Sequence, residues 1–153
     1  AHLEKLHRYG HAVALGVLWR DKTSYLYHQS PYRNTLESVG GCGYCPLGRS
    51  SVGMVLMAQR SDDEILRLFN GRTVEDYHGD MDDFLAEMAV IRRNGYAEVV
   101  TDHRSMAVTV GHPAFAAVAF SGNIPDQEIG KYLTLLQHTA QQIEEDLDAY
   151  PNS

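Results

Sequence analysis

Large and small side chains alternate along several segments of the chain, with the two-residue period of a β-strand. The first such segment spans residues 11–19, where one face is bulky and apolar and the other face is small. The bulky residues are Val13, Leu15, Val17 and Trp19, and the small residues are Ala12, Ala14 and Gly16. The segment is therefore predicted to be a strand with two unlike faces.

Four further strands are predicted at 23–30, 96–100, 105–110 and 114–120. Gly111-His112-Pro113 separates the last two, which indicates a hairpin. That hairpin repeats the contrast between faces. Its bulky residues are Met106, Val108, Val110, Val118 and Phe120, and its small residues are Ser105, Ala107, Thr109, Ala117, Ala119 and Ser121. The intervening residues 32–45 are rich in glycine and are predicted to be a long irregular loop.

Helical spacing and capping residues predict five helices. They are a short opening helix that ends near Gly10, a helix at about 49–59, a helix capped by Ser61 that runs to Phe69, a helix that ends at Asn94-Gly95, and a long final helix after Pro125-Asp126. Together with the strands, they predict a single α+β domain over residues 1–153.

The small strand faces have two interpretations. A sheet face with small and hydroxylated residues leaves room for a ligand pocket. The same residues also admit a closely packed helix. Both interpretations stay open at this point.

The charge of the chain argues against duplex DNA binding by this chain alone. It has 13 Lys and Arg against 20 Asp and Glu, a net charge of −7, whereas phosphate binding depends on clustered cations. No apolar run reaches the roughly 18 residues of a membrane span, and the opening residues lack the apolar core of a signal peptide. Since two cysteines do not form a secreted disulfide framework, we expect a cytoplasmic protein.

The motif Cys42-Gly43-Tyr44-Cys45 carries the alternative function, a thiol-based redox enzyme or sensor. A helix that follows a thiol lowers its pKa, as redox chemistry requires. However, a thioredoxin-like arrangement places a buried strand directly before the motif, and the segment NTLESVGG is polar and glycine-rich. No second cysteine or histidine pair has zinc spacing, and neither a nucleophile elbow nor a phosphate loop is present. We therefore predict no catalytic residue, no metal and no cofactor.

Five collinear segments resemble the C-terminal effector-binding domain of IclR-type transcriptional regulators. They are LEKLHRYGHAVALGVLW, TSYLYHQSP, PLGRSSVGMVLMA, FLAEMAVIRRNGYAE and AFAAVAFSGN. The resemblance implies a GAF-like or profilin-like fold, with a central antiparallel sheet of five or six strands flanked by helices. We expect the opening and final helices on its bulky face. It also implies a homodimer or tetramer, a small organic acid as effector, and DNA binding only through an N-terminal winged helix-turn-helix domain that this chain lacks.

The resemblance further implies a ligand-binding set, which consists of Leu26, Gln29, Ser51, Val52, Val99, Ser105, Ala119 and Ser121. Strand alternation places His28, rather than Gln29, on the face of Leu26. Backbone N–H groups at the start of the helix around Ser51 and hydroxyl groups on the hairpin suit a carboxylate. Some family members have an acidic residue near Val99 and a second serine at the position of Ala119. The less polar pocket expected here favours a carboxylate with a larger apolar or aromatic body.

A third possible function is oligomerisation alone, with the pocket collapsed. Binding of a small ligand would separate this function from effector sensing.

Overall fold

The computed structural model describes residues 2–31 and 45–149. Within these residues, six strands form one antiparallel sheet. They are β1 (Ala12–Trp19), β2 (Lys22–Gln29), β3 (Cys45–Pro46), β4 (Ala97–Val100), β5 (Arg104–Val110) and β6 (Ala116–Gly122). Their order across the sheet is β3-β2-β1-β6-β5-β4. The α+β class and the six-stranded antiparallel sheet agree with the sequence prediction.

Four α-helices flank the sheet. They are α1 (Ser51–Met57), α2 (Asp62–Phe69), α3 (Met81–Asn94) and α4 (Ile129–Asp148), and 3-10 helices cover Glu4–Tyr9, Leu47–Arg49 and Asp126–Glu128. The Ser61 hydroxyl accepts a hydrogen bond from the N–H of Glu64, so the predicted cap of α2 is confirmed. Gly95 ends α3 in the left-handed conformation, with φ of 81°, where a residue without Cβ is favoured.

The bulky face of the sheet packs against α4 and the opening 3-10 helix. Val13, Met106 and Phe120 are fully buried there, in one cluster with Leu6 and Leu136. This confirms the predicted assignment of faces. The bulky face of β1 reaches the surface at one end, since Trp19 is 52% exposed.

The small face of the sheet packs against α1, in a second core that also includes residues of α2 and α3. A Cβ built on Gly16 would lie 3.0 Å from Cγ1 of Val52. The small residues therefore admit a closely packed helix. They also border a cavity, and the interpretation of that cavity as a ligand pocket stays a prediction.

Two local predictions need correction. The predicted helix at 49–59 is divided at Ser50, which has an extended backbone between the 3-10 helix Leu47–Arg49 and α1. Cys45, predicted to end an irregular loop, instead forms an edge strand with Pro46 that pairs with β2. The rest of that loop lies outside the described residues. No helix in the described part of the chain is both long and apolar enough to cross a bilayer.

Candidate functional site: a serine-lined cavity

Two transverse rows of side chains cross the small face of the sheet. Antiparallel pairing aligns the first row as Ala12, Ser121, Ser105 and Val99, which we term the serine row. Pairing aligns the next row as Ala14, Ala119, Ala107 and Ala97, which we term the alanine row. Because residues two apart on a strand share a face, the two rows form one surface that is hydroxylated at one side and apolar at the other.

The first turn of α1 meets the serine row. The Oγ atoms of Ser51 and Ser105 are 2.5 Å apart, a hydrogen bond that either hydroxyl can donate. Ser50 caps the helix, since its Oγ accepts a hydrogen bond from the N–H of Gly53 at 3.0 Å. The Tyr25 hydroxyl lies 3.3 Å from the same Oγ. These contacts attach the helix start to strands at both sides of the site.

A cavity of about 110 Å³ lies between α1 and the serine row. Its lining comprises Ala12, Ala14, Tyr25, His28, Arg49, Ser51, Val52, Val99, Thr101, His103, Ser105, Ala119, Phe120 and Ser121. This lining combines hydroxyl groups and N–H donors with apolar walls, and contains no Asp or Glu among the described residues. Such a surface suits an anion attached to an apolar body.

The structure brings six of the eight predicted ligand-binding residues together at this cavity: Ser51, Val52, Val99, Ser105, Ala119 and Ser121. Leu26 and Gln29 do not line it. The cause is a β-bulge in β2, where Leu15 pairs with Tyr27 but Gly16 pairs with Tyr25.

The bulge leaves Leu26 as the extra residue, 64% exposed, and shifts the alternation of side chains beyond it. Gln29 consequently faces the other side of the sheet, where its Oε1 accepts a hydrogen bond from the Tyr27 hydroxyl at 3.2 Å. His28 takes the place at the cavity that Gln29 was expected to hold. For the six residues at the cavity, ligand binding itself stays a prediction.

Eight lining residues lie outside the predicted ligand-binding set, namely Ala12, Ala14, Tyr25, His28, Arg49, Thr101, His103 and Phe120. Arg49 is the one with a permanent positive charge. Arg49 lies directly before Ser50-Ser51 at the start of a predicted helix, and this position could have indicated that it belongs to the site. The other seven lie on β1, β2 and β6 or beside the ends of β4 and β5, and only the fold shows that they meet.

A larger groove of about 600 Å³ adjoins the cavity. It shares Arg49, Val99 and Thr101 with the cavity. In the groove, the Tyr77 hydroxyl donates a hydrogen bond to Oε2 of Glu87 at 2.6 Å. Burial, and then that hydrogen bond, raises the pKa of Tyr77, so this phenol stays protonated at neutral pH.

The groove also holds an ion pair. Nε of Arg49 lies 3.2 Å from Oδ2 of Asp76. The groove lining is acidic, since it contains Asp76, Glu87 and Glu98. Arg49 therefore stands between an acidic groove and a cavity without described carboxylates.

The described residues include one of the two thiols of the predicted redox motif. Cys45 lies in β3 opposite Thr23, while Cys42, the other thiol of the predicted redox alternative, lies outside the described residues. No group of three or more His, Cys, Asp or Glu side chains able to hold a metal ion occurs in the part of the chain that the structure describes.

Comparison with known proteins gives a consistent result. The family model described as the bacterial transcriptional regulator IclR C-terminal domain matches residues 1–145. None of the curated proteins searched matches the chain significantly. The family and the solved structures that resemble this chain are transcriptional regulators rather than enzymes.

Among solved structures, the C-terminal domain of the Escherichia coli regulator KdgR is 21% identical, with a TM-score of 0.77, and the match covers 94% of this chain and 92% of that one. The inducer-binding domain of PobR from Acinetobacter, a double mutant in complex with 3-hydroxybenzoic acid, is 16% identical, with a TM-score of 0.79 and coverages of 94% and 93%.

An IclR homologue from Microbacterium hydrocarbonoxydans, complexed with 4-hydroxybenzoate, is 20% identical with a TM-score of 0.74. The match covers 97% of this chain and 65% of the Microbacterium chain. At these identities the structures show a shared fold, while the family model spans nearly the whole sequence. The chain therefore belongs to the IclR family of bacterial transcriptional regulators and corresponds to their C-terminal domain.

Proposed function

We propose that this domain senses a small organic carboxylate, which binds in the serine-lined cavity without being transformed. The observation that carries the proposal is the serine row facing Ser51, next to an apolar alanine row. Hydroxyl groups donate hydrogen bonds to a carboxylate, and a hydrogen bond to a charged group is stronger than one between neutral groups.

The hydroxyl donors can be counted. Ser51 and Ser105 have two O–H groups, of which one is used in the bond between them. The second is left for a ligand, and Ser121 contributes another from the neighbouring strand. The proposal rests on these hydroxyl groups rather than on the N–H groups of Ser51 and Val52, because α1 has only seven residues.

The size and lining of the cavity favour an effector with a compact apolar body. Its volume of about 110 Å³ is below the roughly 150 Å³ of an engineered apolar cavity that holds benzene. Val52, Val99 and Ala119 supply apolar contacts. A small aliphatic carboxylate fits this volume, and a carboxylate carrying one ring requires the cavity to widen towards the groove. The hydroxybenzoates bound to the PobR domain and to the Microbacterium homologue belong to this chemical class.

Control of DNA binding requires parts beyond this domain. We propose that the chain acts in the cytoplasm as a homodimer or tetramer, and that DNA is bound through a separate N-terminal winged helix-turn-helix domain. An effector then shifts the assembly between states by binding one of them more tightly. Sedimentation of the domain at micromolar concentration is expected to show at least a dimer, and a purely monomeric species would contradict the assembly part of the proposal.

Calorimetric titration with acetate, benzoate and 4-hydroxybenzoate tests the site. Loss of one charge-assisted hydrogen bond, about 1.5–3 kcal/mol, is expected to weaken binding about tenfold or more in Ser121→Ala and in the double variant Ser51→Ala/Ser105→Ala, which removes both hydroxyl groups of the bonded pair. Thr109→Ala is the matched control, since Thr109 lies on the same face of β5 as Ser105 but does not line the cavity. The thermal midpoints of the empty variants should remain close to that of the wild type. Unchanged affinity in both serine variants would show that the ligand binds elsewhere.

A further inference from the structure

Arg49 occupies a boundary between two environments of unlike charge. Three residues line both the cavity and the groove, and Arg49 is the charged one among them. On the groove side are the carboxylates of Asp76, Glu87 and Glu98. On the cavity side are hydroxyl groups and imidazoles, with no Asp or Glu among the described lining. Although Arg49 and Arg104 pair with two of these carboxylates, the cavity is the more favourable of the two environments for an anionic ligand.

The ion pair between Arg49 and Asp76 can be exchanged at low cost. Its side chains are 57% and 46% exposed, and exposed ion pairs contribute little because water screens them. The contact involves Nε, whereas a guanidinium group has five N–H donors in a planar fork that matches a carboxylate. A ligand carboxylate at the cavity mouth can thus replace that of Asp76 as the partner of Arg49.

The backbone beneath this ion pair is held independently of it. The N–H of Gly48 donates a hydrogen bond to the carbonyl oxygen of Glu75 at 2.9 Å. A Cβ on Gly48 would lie 2.3 Å from the carbonyl oxygen of Asp76, so the two segments touch through their main chains. Exchange of partners at Arg49 consequently requires movement of side chains only.

We propose that Arg49 is a specificity-determining residue for anionic effectors, and that the effector carboxylate competes with Asp76 for its guanidinium group. This inference rests on the proposed function, because it assumes that the carboxylate binds in the serine-lined cavity. In the unliganded domain, Asp76 neutralises Arg49. In the liganded domain, the effector takes over that role and Asp76 turns towards solvent.

The test is calorimetric titration with benzoate and with its neutral analogue benzamide. Arg49→Met is expected to weaken benzoate binding about tenfold or more, the loss of one charged hydrogen bond, and to change benzamide binding less than about twofold. Arg49→Lys should recover part of the benzoate affinity, since it keeps the charge but loses the fork. Asp76→Asn removes the competitor and should strengthen benzoate binding up to about fivefold.

Asp21→Asn is the matched control for Asp76→Asn. It removes the same charge from a second, partly exposed ion pair, in which Arg72 Nη1 lies 3.3 Å from Asp21 Oδ2, away from the cavity. It is expected to leave benzoate binding unchanged. The gain of affinity in Asp76→Asn cannot arise from misfolding, so it remains informative even if another variant is unstable.

The outcomes separate the two proposals. If Ser121→Ala weakens benzoate binding but Arg49→Met and Asp76→Asn do not alter it, the role of Arg49 is overturned while the serine-lined site stands. An equal gain in Asp21→Asn and Asp76→Asn would reduce the effect to net charge and also overturn it. If benzoate binds neither the wild type nor any variant, both proposals fail.

Discussion

Substitution of Gly53 by alanine tests how closely α1 lies on the sheet. A Cβ at this position would be 2.2 Å from Oγ1 of Thr23 and 2.8 Å from Cδ1 of Leu47. Thr23 and Leu47 are themselves buried, with exposures of 0% and 1%, and a β-branched threonine has few alternative rotamers. Neither neighbour has space to move, so the helix must be displaced from β2.

Two opposing contributions determine the size of the effect. Alanine in a helix is more favourable than glycine by about 1 kcal/mol. Overpacking of a rigid core costs about 1–3 kcal/mol, and two immobile neighbours place this site near the upper end. The net loss in the free energy of unfolding is therefore about 2 kcal/mol, which lowers the Tm of a domain of this size by about 4–8 °C.

Circular dichroism during thermal and urea unfolding measures this change. Gly130→Ala is the control, because Gly130 lies in α4 with no atom within 4 Å of the new Cβ, and it is expected to stabilise by up to about 1 kcal/mol. In a Thr23→Ala background, Gly53→Ala should cost about 1–2 kcal/mol less, as expected for residues in contact. If Gly53→Ala alone is as stable as the wild type, α1 does not approach β2 as closely as described.

Two further predictions concern stability. Ser61→Ala removes the side-chain acceptor of the Glu64 N–H and should lower the free energy of unfolding, measured by urea denaturation, by about 1 kcal/mol. The control is Thr134→Ala, on the exposed side of α4, which should change the free energy of unfolding by less than about 0.5 kcal/mol. Burial lowers the pKa of His11 from its ordinary value of 6.5, with Glu128 opposing and Lys131 reinforcing the shift. Protonation of His11 then favours the unfolded chain, so the free energy of unfolding should fall as the pH drops below 6.5. Between about pH 7.5 and about pH 5.5, the His11→Gln variant should lose less of its free energy of unfolding than the wild type. An equal loss in both proteins would contradict this assignment.

Regular periodicity made most of the fold predictable. The contrast between Val13 and Ala14, repeated in the hairpin, identified both faces of the sheet before any contact was known. The caps at Ser61 and Gly95 were equally clear, because helix ends need particular residues. The two-residue strand Cys45–Pro46 was not predictable, since two residues cannot show a period.

The candidate site was predictable only in part. Ser105, Ala119 and Ser121 follow from strand alternation. A bulge leaves no mark in the sequence, so the exclusion of Leu26 from the cavity could not be predicted. Gln29 was implied by the family resemblance, whereas strand alternation had already placed His28 and Gln29 on opposite faces. Arg49 and His103 belong to segments far apart in the chain, and their meeting at one cavity depends on tertiary structure.

The alanine row offers a way to re-engineer the domain as a biosensor. Ala14 and Ala119 both line the cavity, whereas the polar groups proposed to hold the carboxylate lie one row away. Glycine at either position would enlarge the apolar compartment, and serine would add a hydroxyl opposite the ligand's body. Under the proposed function, recognition of the acid group and discrimination among acid bodies belong to different rows. A library of substitutions at Ala14 and Ala119 would then change which carboxylate is bound while retaining the acid group as the shared feature.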